Sequence, residues 1–157
     1  LLSPELTAEQ AIEGYRAILE LEPTNTLSRN RLANTLAEEG RLQEAIEEYR
    51  QLVLDTEIDF RGLENLSAAL LLQGETDEAL ATTETAIATA PWNPDFHVLR
   101  GEALEQARRF DESKDAYLSA LEVEASAENY WRVGTKVYER RGGFTEGEDG
   151  FLRIFQR

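Results

Sequence analysis

The chain has 157 residues, 41 % of them apolar and 30 % charged, with a formal net charge of −15. That charge excludes the chain as a whole from binding a phosphate backbone, which needs a net basic face, and favours basic or polar partners. The absence of cysteine excludes a disulfide framework and a thiolate zinc site, and no apolar run approaches the roughly 20 residues of a membrane span.

Leu1 to Leu6 is a short apolar lead-in containing Pro4. Thr7-Ala8-Glu9-Gln10 has the form of a capping box, so a helix is predicted from about Ala8 to Glu22, stopped by Pro23. Two amphipathic helices follow near 26–39 and 42–55, turning at Gly40-Arg41. In the second of them Leu42, Ala45, Tyr49, Leu52 and Val53 recur at spacings of three and four, the period of one helix face. The next pair is predicted near 60–73 and 77–89, with Thr76 capping the second helix. Asn93 is a good N-cap and Pro94 suits a first helical position, so a helix starts there and its partner near Asp111. A last pair starts near Glu128 and breaks at Gly142-Gly143. Thr145-Glu146-Gly147-Glu148 is a second capping-box pattern, and a final helix runs to about Gln156. The prediction is nine helices and no strand.

The pattern repeats at a fixed interval. Ala11, Ala45 and Ala79 are 34 apart, as are Gly40 and Gly74, and Tyr15 and Tyr49, with Tyr117 three periods beyond Tyr15. Leu36, Leu70, Leu104 and Tyr138 form a column of large residues, while Ala33, Ser67, Gly101 and Thr135 form a column of small ones. Leu42, Thr76, Phe110 and Phe144 form a third. Pro23-Thr24-Asn25 returns as Pro91-Trp92-Asn93 two periods on. One helix pair has too little apolar surface to be stable alone, and copies on either side supply what it lacks.

A helix-turn-helix unit of this period, with small–large–Gly in its first helix, Ala and Tyr in its second and Pro at the boundary, resembles the tetratricopeptide repeat. The resemblance covers nearly the whole chain. It implies an all-α fold, a right-handed α-solenoid of about 4.5 stacked repeats forming a single domain over 1–157. The register gives a half repeat at 7–25, repeats at 26–59, 60–93 and 94–127, and a partial terminal repeat at 128–157.

The residues offer little to catalysis. His97 is the one histidine, and it falls in the column of Arg29, Leu63 and Trp131, which marks it as a packing residue. The carboxylate runs Glu44/Glu47/Glu48 and Asp111/Glu112/Asp115 have the spacing of a solvated helix face. No Gly-rich phosphate loop, zinc spacing or calcium loop is present, so the expectation is no enzyme activity, no metal and no cofactor.

Recognition remains. The resemblance implies a concave groove lined by the first helix of each pair. Its columns are Leu27/Arg61/Asp95/Asn129, Asn30/Glu64/Val98/Arg132, Asn34/Ala68/Glu102/Lys136 and Glu38/Leu72/Gln106/Arg140, beside Arg31, Asn65, Leu99 and Val133. Asn30, Asn34 and Asn65 stand where amides give and take hydrogen bonds with an extended peptide. Arg31 and Arg61 approach the same surface, and Leu71, Leu72 and Val98 are expected to form an apolar floor at mid-groove. Arg132, Lys136 and Arg140 recur at spacing four, on one helix face, so an acidic segment is expected at the C-terminal end of the groove. The expected function is a non-catalytic protein–protein interaction module that takes a peptide segment or partner surface in this groove. The alternatives are a docking or regulatory region of a larger enzyme, such as a transferase, and a self-assembling scaffold.

The terminal helices bear on the last of these. Phe151, Leu152, Ile154 and Phe155 are wider than one face, and Ile12, Tyr15, Ile18 and Leu19 lack the partner that the register calls for. The natural protein is therefore expected to continue past at least one end, or an end to self-associate. The chain starts at Leu1, not Met, so a leader ahead of it is beyond this reading; a cytoplasmic protein is the default expectation.

One ligand class of the family is testable at once. Some members hold the acidic C-terminal tail of a heat-shock chaperone in a carboxylate clamp of lysine, arginine and asparagine. Asn34 and Asn65 match the clamp's asparagines, but Asn30, Asp95 and Leu99 stand where its cations are needed. Charge-assisted bonds of about 1.5–3 kcal/mol each would be lost. Calorimetry with such tails is expected to show no useful affinity, and low-micromolar binding would overturn the assignment.

Overall fold

The computed structural model describes residues 6–55 and 60–124. They form seven helices and no strand: α1 (Ala8–Leu21), α2 (Thr26–Glu38), α3 (Leu42–Asp55), α4 (Phe60–Gln73), α5 (Thr76–Thr89), α6 (Pro94–Gln106) and α7 (Phe110–Val123). Successive helices pack against each other, and α4 also packs against α6. This is the stacking of an α-solenoid. The two further helices predicted after Glu128, and the capping box at Thr145, lie outside the described residues.

The ends of the helices follow from the sequence. Thr7 and Gln10 form the full capping box: the Gln10 amide donates to the Thr7 hydroxyl oxygen, and the Thr7 amide donates to the Gln10 side chain. Asn25 caps α2 by accepting from the Ser28 amide, and Asn93 caps α6 by accepting from the Asp95 amide. Thr76 does not cap α5. It is the first residue of that helix, and its hydroxyl lies 3.1 Å from the Gln106 side-chain oxygen. The Gln106 amide group in turn donates to the Leu71 carbonyl at 2.9 Å. The Thr76 hydroxyl thus has two acceptors within reach, Gln106 on the next repeat and, at 3.4 Å, the Gly74 carbonyl of its own turn, and it caps no amide of α5.

The three turns inside the helix pairs share one geometry. Gly40, Gly74 and Arg108 stand one period apart and all have positive φ, at 75°, 84° and 59°. At each, the following amide reaches back five positions, from Arg41 to Leu36, Glu75 to Leu70 and Arg109 to Leu104. The residue itself reaches back three, to Ala37, Leu71 and Glu105. This double bond closes a helix through one left-handed residue.

The core follows the columns. Leu36, Leu70 and Leu104 are buried, as are Ala33, Ser67 and Gly101, and Ala45, Ala79 and Ser113. The small column is a steric requirement at its third member. A Cβ placed on Gly101 would lie 2.4 Å from the Tyr117 ring, so glycine is what lets that ring lie against α6. Tyr117 itself is 1 % exposed.

Arginine–glutamate pairs link second helices across repeats. Arg16 meets Glu44 at 2.7 Å, and one period later Arg50 meets Glu78 at 2.6 Å. At the third interface the register places Glu84 where arginine would stand. Glu112 pairs instead with Arg109 on its own turn. All these pairs are partly exposed, so each adds at most about 1 kcal/mol.

A left-handed backbone costs a non-glycine residue roughly 1–2 kcal/mol, of which glycine's greater freedom in the unfolded chain cancels a part. Arg108→Gly is therefore expected to stabilise the fold by about 0.5–1 kcal/mol, read as a raised midpoint in urea at unchanged slope. An unchanged or lowered midpoint would show that Arg108 sits in this turn without strain.

Candidate binding groove

The first helices of the pairs, α2, α4 and α6, place their inner residues on one surface. At its centre the structure joins three residues from three helices. Asn34 of α2 accepts through Oδ1 from the Tyr49 hydroxyl of α3 at 2.6 Å and from Asn65 Nδ2 of α4 at 3.3 Å. Both asparagines are half-buried, and Tyr49 is 4 % exposed. Burial, with the Glu38 carboxylate adding to it, pushes the Tyr49 hydroxyl up to about 12. It therefore stays a neutral donor at any physiological pH and fixes which way the Asn34 amide points. The Asn34 Nδ2 donor and the Asn65 Oδ1 acceptor have no partner among the described residues.

Other predicted groove residues fall into distinct settings. Asn30 is half-buried, and its Oδ1 is buried without a partner among the described residues. Arg31 and Arg61 are exposed, and Leu72 is 75 % exposed. Val98 is not open to the groove. It is 3 % exposed and packs with Tyr117 and Ala120 of α7. Leu71 is likewise buried, at 7 %. The expected apolar floor is thus reduced to Leu72, because Leu71 and Val98 contribute to the stacking of the helices. Arg132, Lys136 and Arg140 lie outside the described residues.

Tyr49 was not among the predicted groove residues, yet it orients one of them, Asn34. The register carries a signal for it. The pair Tyr49/Asn34 becomes Thr83/Ala68 one period on and Tyr117/Glu102 two periods on. In the register a tyrosine thus coincides with a polar first-helix residue, and a threonine with alanine. Burial raises the Tyr117 hydroxyl strongly, with Glu105 and Glu102 contributing further.

His97 has a local role. Its Nε2 lies 3.2 Å from the Pro91 carbonyl oxygen, and Arg29, two periods earlier, donates to the carbonyl of Pro23. Both side chains tie the turn ahead of a first helix. Among the described residues no group of three His, Asp or Glu side chains is placed to hold a metal ion, and no helix is long and apolar enough to cross a membrane.

Two tetratricopeptide repeat profiles match the sequence, one over residues 15–47 and one over residues 70–137. With the stacked pairs, the left-handed turn in each period and the small-residue column in place, these matches decide the family. The chain belongs to the tetratricopeptide repeat family. Solved structures of similar fold agree. One is the crystal structure of MamA, 21 % identical, with a TM-score of 0.76 over 95 % of this chain and 85 % of that one. A second is YrrB, described as a tetratricopeptide repeat protein with an unusual peptide-binding site. It is 16 % identical, with a TM-score of 0.68 over 94 % of this chain and 77 % of that one. A third is the type III secretion translocator chaperone SycD of Yersinia enterocolitica, 21 % identical, with a TM-score of 0.65 over 71 % of this chain and 85 % of that one. At these identities the likeness is one of fold. No curated protein sequence matches the chain. Membership supports a protein–protein interaction module, since tetratricopeptide repeats stack into extended binding surfaces.

The Tyr49 hydroxyl can be tested alone. Tyr49→Phe keeps the ring and removes both the bond to Asn34 and the constraint on its amide. The expected cost is about 1 kcal/mol, together with shifted side-chain amide signals of Asn34 and Asn65 in nitrogen-edited NMR spectra. Unmoved Asn65 signals would show that the three residues do not act as a unit.

Proposed function

We propose that the chain is a non-catalytic interaction module that seats an extended peptide segment of a partner protein across Asn34 and Asn65. One observation carries this reading. Tyr49 fixes the Asn34 amide so that neighbouring helices offer one open donor and one open acceptor, the complement of an extended backbone. The exposed Arg31 and Arg61 border the same surface, Asn30 lies one turn away from Asn34, and Leu72 supplies apolar area at its rim. The spacing of Arg132, Lys136 and Arg140 supports an acidic end to the bound segment. The description of YrrB as having a peptide-binding site is consistent with this use of the fold. Self-association as a second, separate contact is supported by the exposed Ile18 and Leu21 of α1, although Ile12 of the same helix is buried and Tyr15 and Leu19 pack on the core.

The test is capture of partner segments from a peptide library by the wild-type chain, followed by affinity measurement on the variants. Asn34→Ala with Asn65→Ala is expected to lower affinity at least tenfold for most captured peptides, with the helical circular dichroism retained. Replacing Arg132, Lys136 and Arg140 together by Gln is expected to weaken acidic peptides selectively and flatten their salt dependence. Peptides that bind the asparagine variant as tightly as wild type would place the site elsewhere.

A further inference from the structure

The turn between α5 and α6 carries a second feature, on the edge of the solenoid. Trp92 is 66 % exposed, yet it is not loosely attached. Its ring packs nearly perpendicular to that of Phe60, at 6.1 Å between centroids and 82° between planes. Phe60 in turn lies 6.4 Å from Phe96, which is fully buried. The indole is therefore braced by a row of rings that ends in the core, while most of its own surface stays in water. A large aromatic held in place before binding is what anchors a protein interface, because little side-chain freedom is left to lose.

The charge around it says what kind of group it would meet. Trp92 lies on the edge where α1, α3, α5 and α7 end and α2, α4 and α6 begin. None of the seven helices has a basic residue in its last turn. Glu20 and Glu22 stand at the end of α1, Glu122 and Glu124 at the end of α7, and Asp95 at the start of α6. The arginines near this edge are Arg29, which is paired with Glu48 and tied to Pro23, and Arg61. On a larger scale, the first 124 residues hold ten basic against 26 acidic residues, whereas the last 33 hold six against five. The part of the chain that bears Trp92 is thus net negative and draws cations. A guanidinium or ammonium group over an indole face is the pairing that such an edge favours.

We propose that the exposed Trp92 indole, braced by Phe60, is the docking point for an arginine- or lysine-bearing segment of a partner protein. The site lies at the starts of the first helices, where Asp95 and Arg61 also stand, and uses a different chemistry from Asn34 and Asn65. The groove would read the backbone of a segment, and this edge its cationic side chains.

The probes are a short arginine–glycine peptide and its glutamate–glycine counterpart, titrated into the whole chain at low salt. The chain has two tryptophans, so Trp92→Phe assigns the Trp92 indole signal in nitrogen-edited NMR spectra. The arginine peptide is expected to shift that signal in a saturable, salt-sensitive way, and the glutamate peptide to leave it unmoved. Trp92→Leu keeps apolar area but has no ring, and is expected to weaken the arginine peptide about fivefold, as loss of an exposed cation–π contact requires. Trp92→Phe is expected to retain most of the affinity. Three outcomes would overturn the proposal: equal affinity in Trp92→Leu, an equal shift with the glutamate peptide, or a Trp92 signal that moves with protein concentration alone. The last would mean that a second copy of the chain covers the indole.

Discussion

The structure depends on one constraint: a single helix pair cannot bury its own apolar face. Each pair must lend that face to the next, so the contacts between pairs decide both stability and register. The columns Leu36/Leu70/Leu104 and Ala33/Ser67/Gly101 are the record of this, large where a helix reaches across and small where a neighbour lies close. Gly101 shows how tight the fit is, since even one carbon there would overlap the Tyr117 ring. The residue is glycine because the ring across from it is tyrosine.

The polar interior follows from the same stacking. A second-helix tyrosine that fills the space between pairs carries its hydroxyl to the base of the groove. There Asn34 accepts it, and Asn65 of the next pair joins. A packing residue thereby becomes the residue that orients the Asn34 amide. The turns repeat the logic at the opposite ends of the helices, where Arg29 and His97 hold the carbonyls of Pro23 and Pro91. The chain's one histidine is thus accounted for by the turn it ties.

Charge is distributed differently from packing. The apolar columns return in every period, but the charged positions drift from repeat to repeat. Arg16–Glu44 and Arg50–Glu78 are equivalent, and the third interface breaks the series. Partly exposed pairs contribute little to stability, so their loss at one interface is tolerated. Freedom from a packing role lets the surface vary, and it allows one end of the chain to be acidic while the other is nearly neutral.

The sequence by itself determined the period, the helix pairs, the family and most of the helix ends. These rest on local chemistry and on residues that recur at a fixed interval. Thr7 with Gln10, Asn93 and the turn at Gly40 were all legible because each acts within a few residues of itself. The columns were legible because a stacked repeat puts the same residue type in the same environment. The tertiary structure alone decided that Tyr49 orients Asn34, that Val98 and Leu71 are covered, and that Thr76 reaches Gln106 as well as the Gly74 carbonyl of its own turn. In each case the deciding atom comes from another helix, often from the next pair. Family spacing can say which face a residue occupies, but only the packing of neighbouring helices decides which side chains on that face stay open, because burial belongs to the pair of surfaces and not to either one.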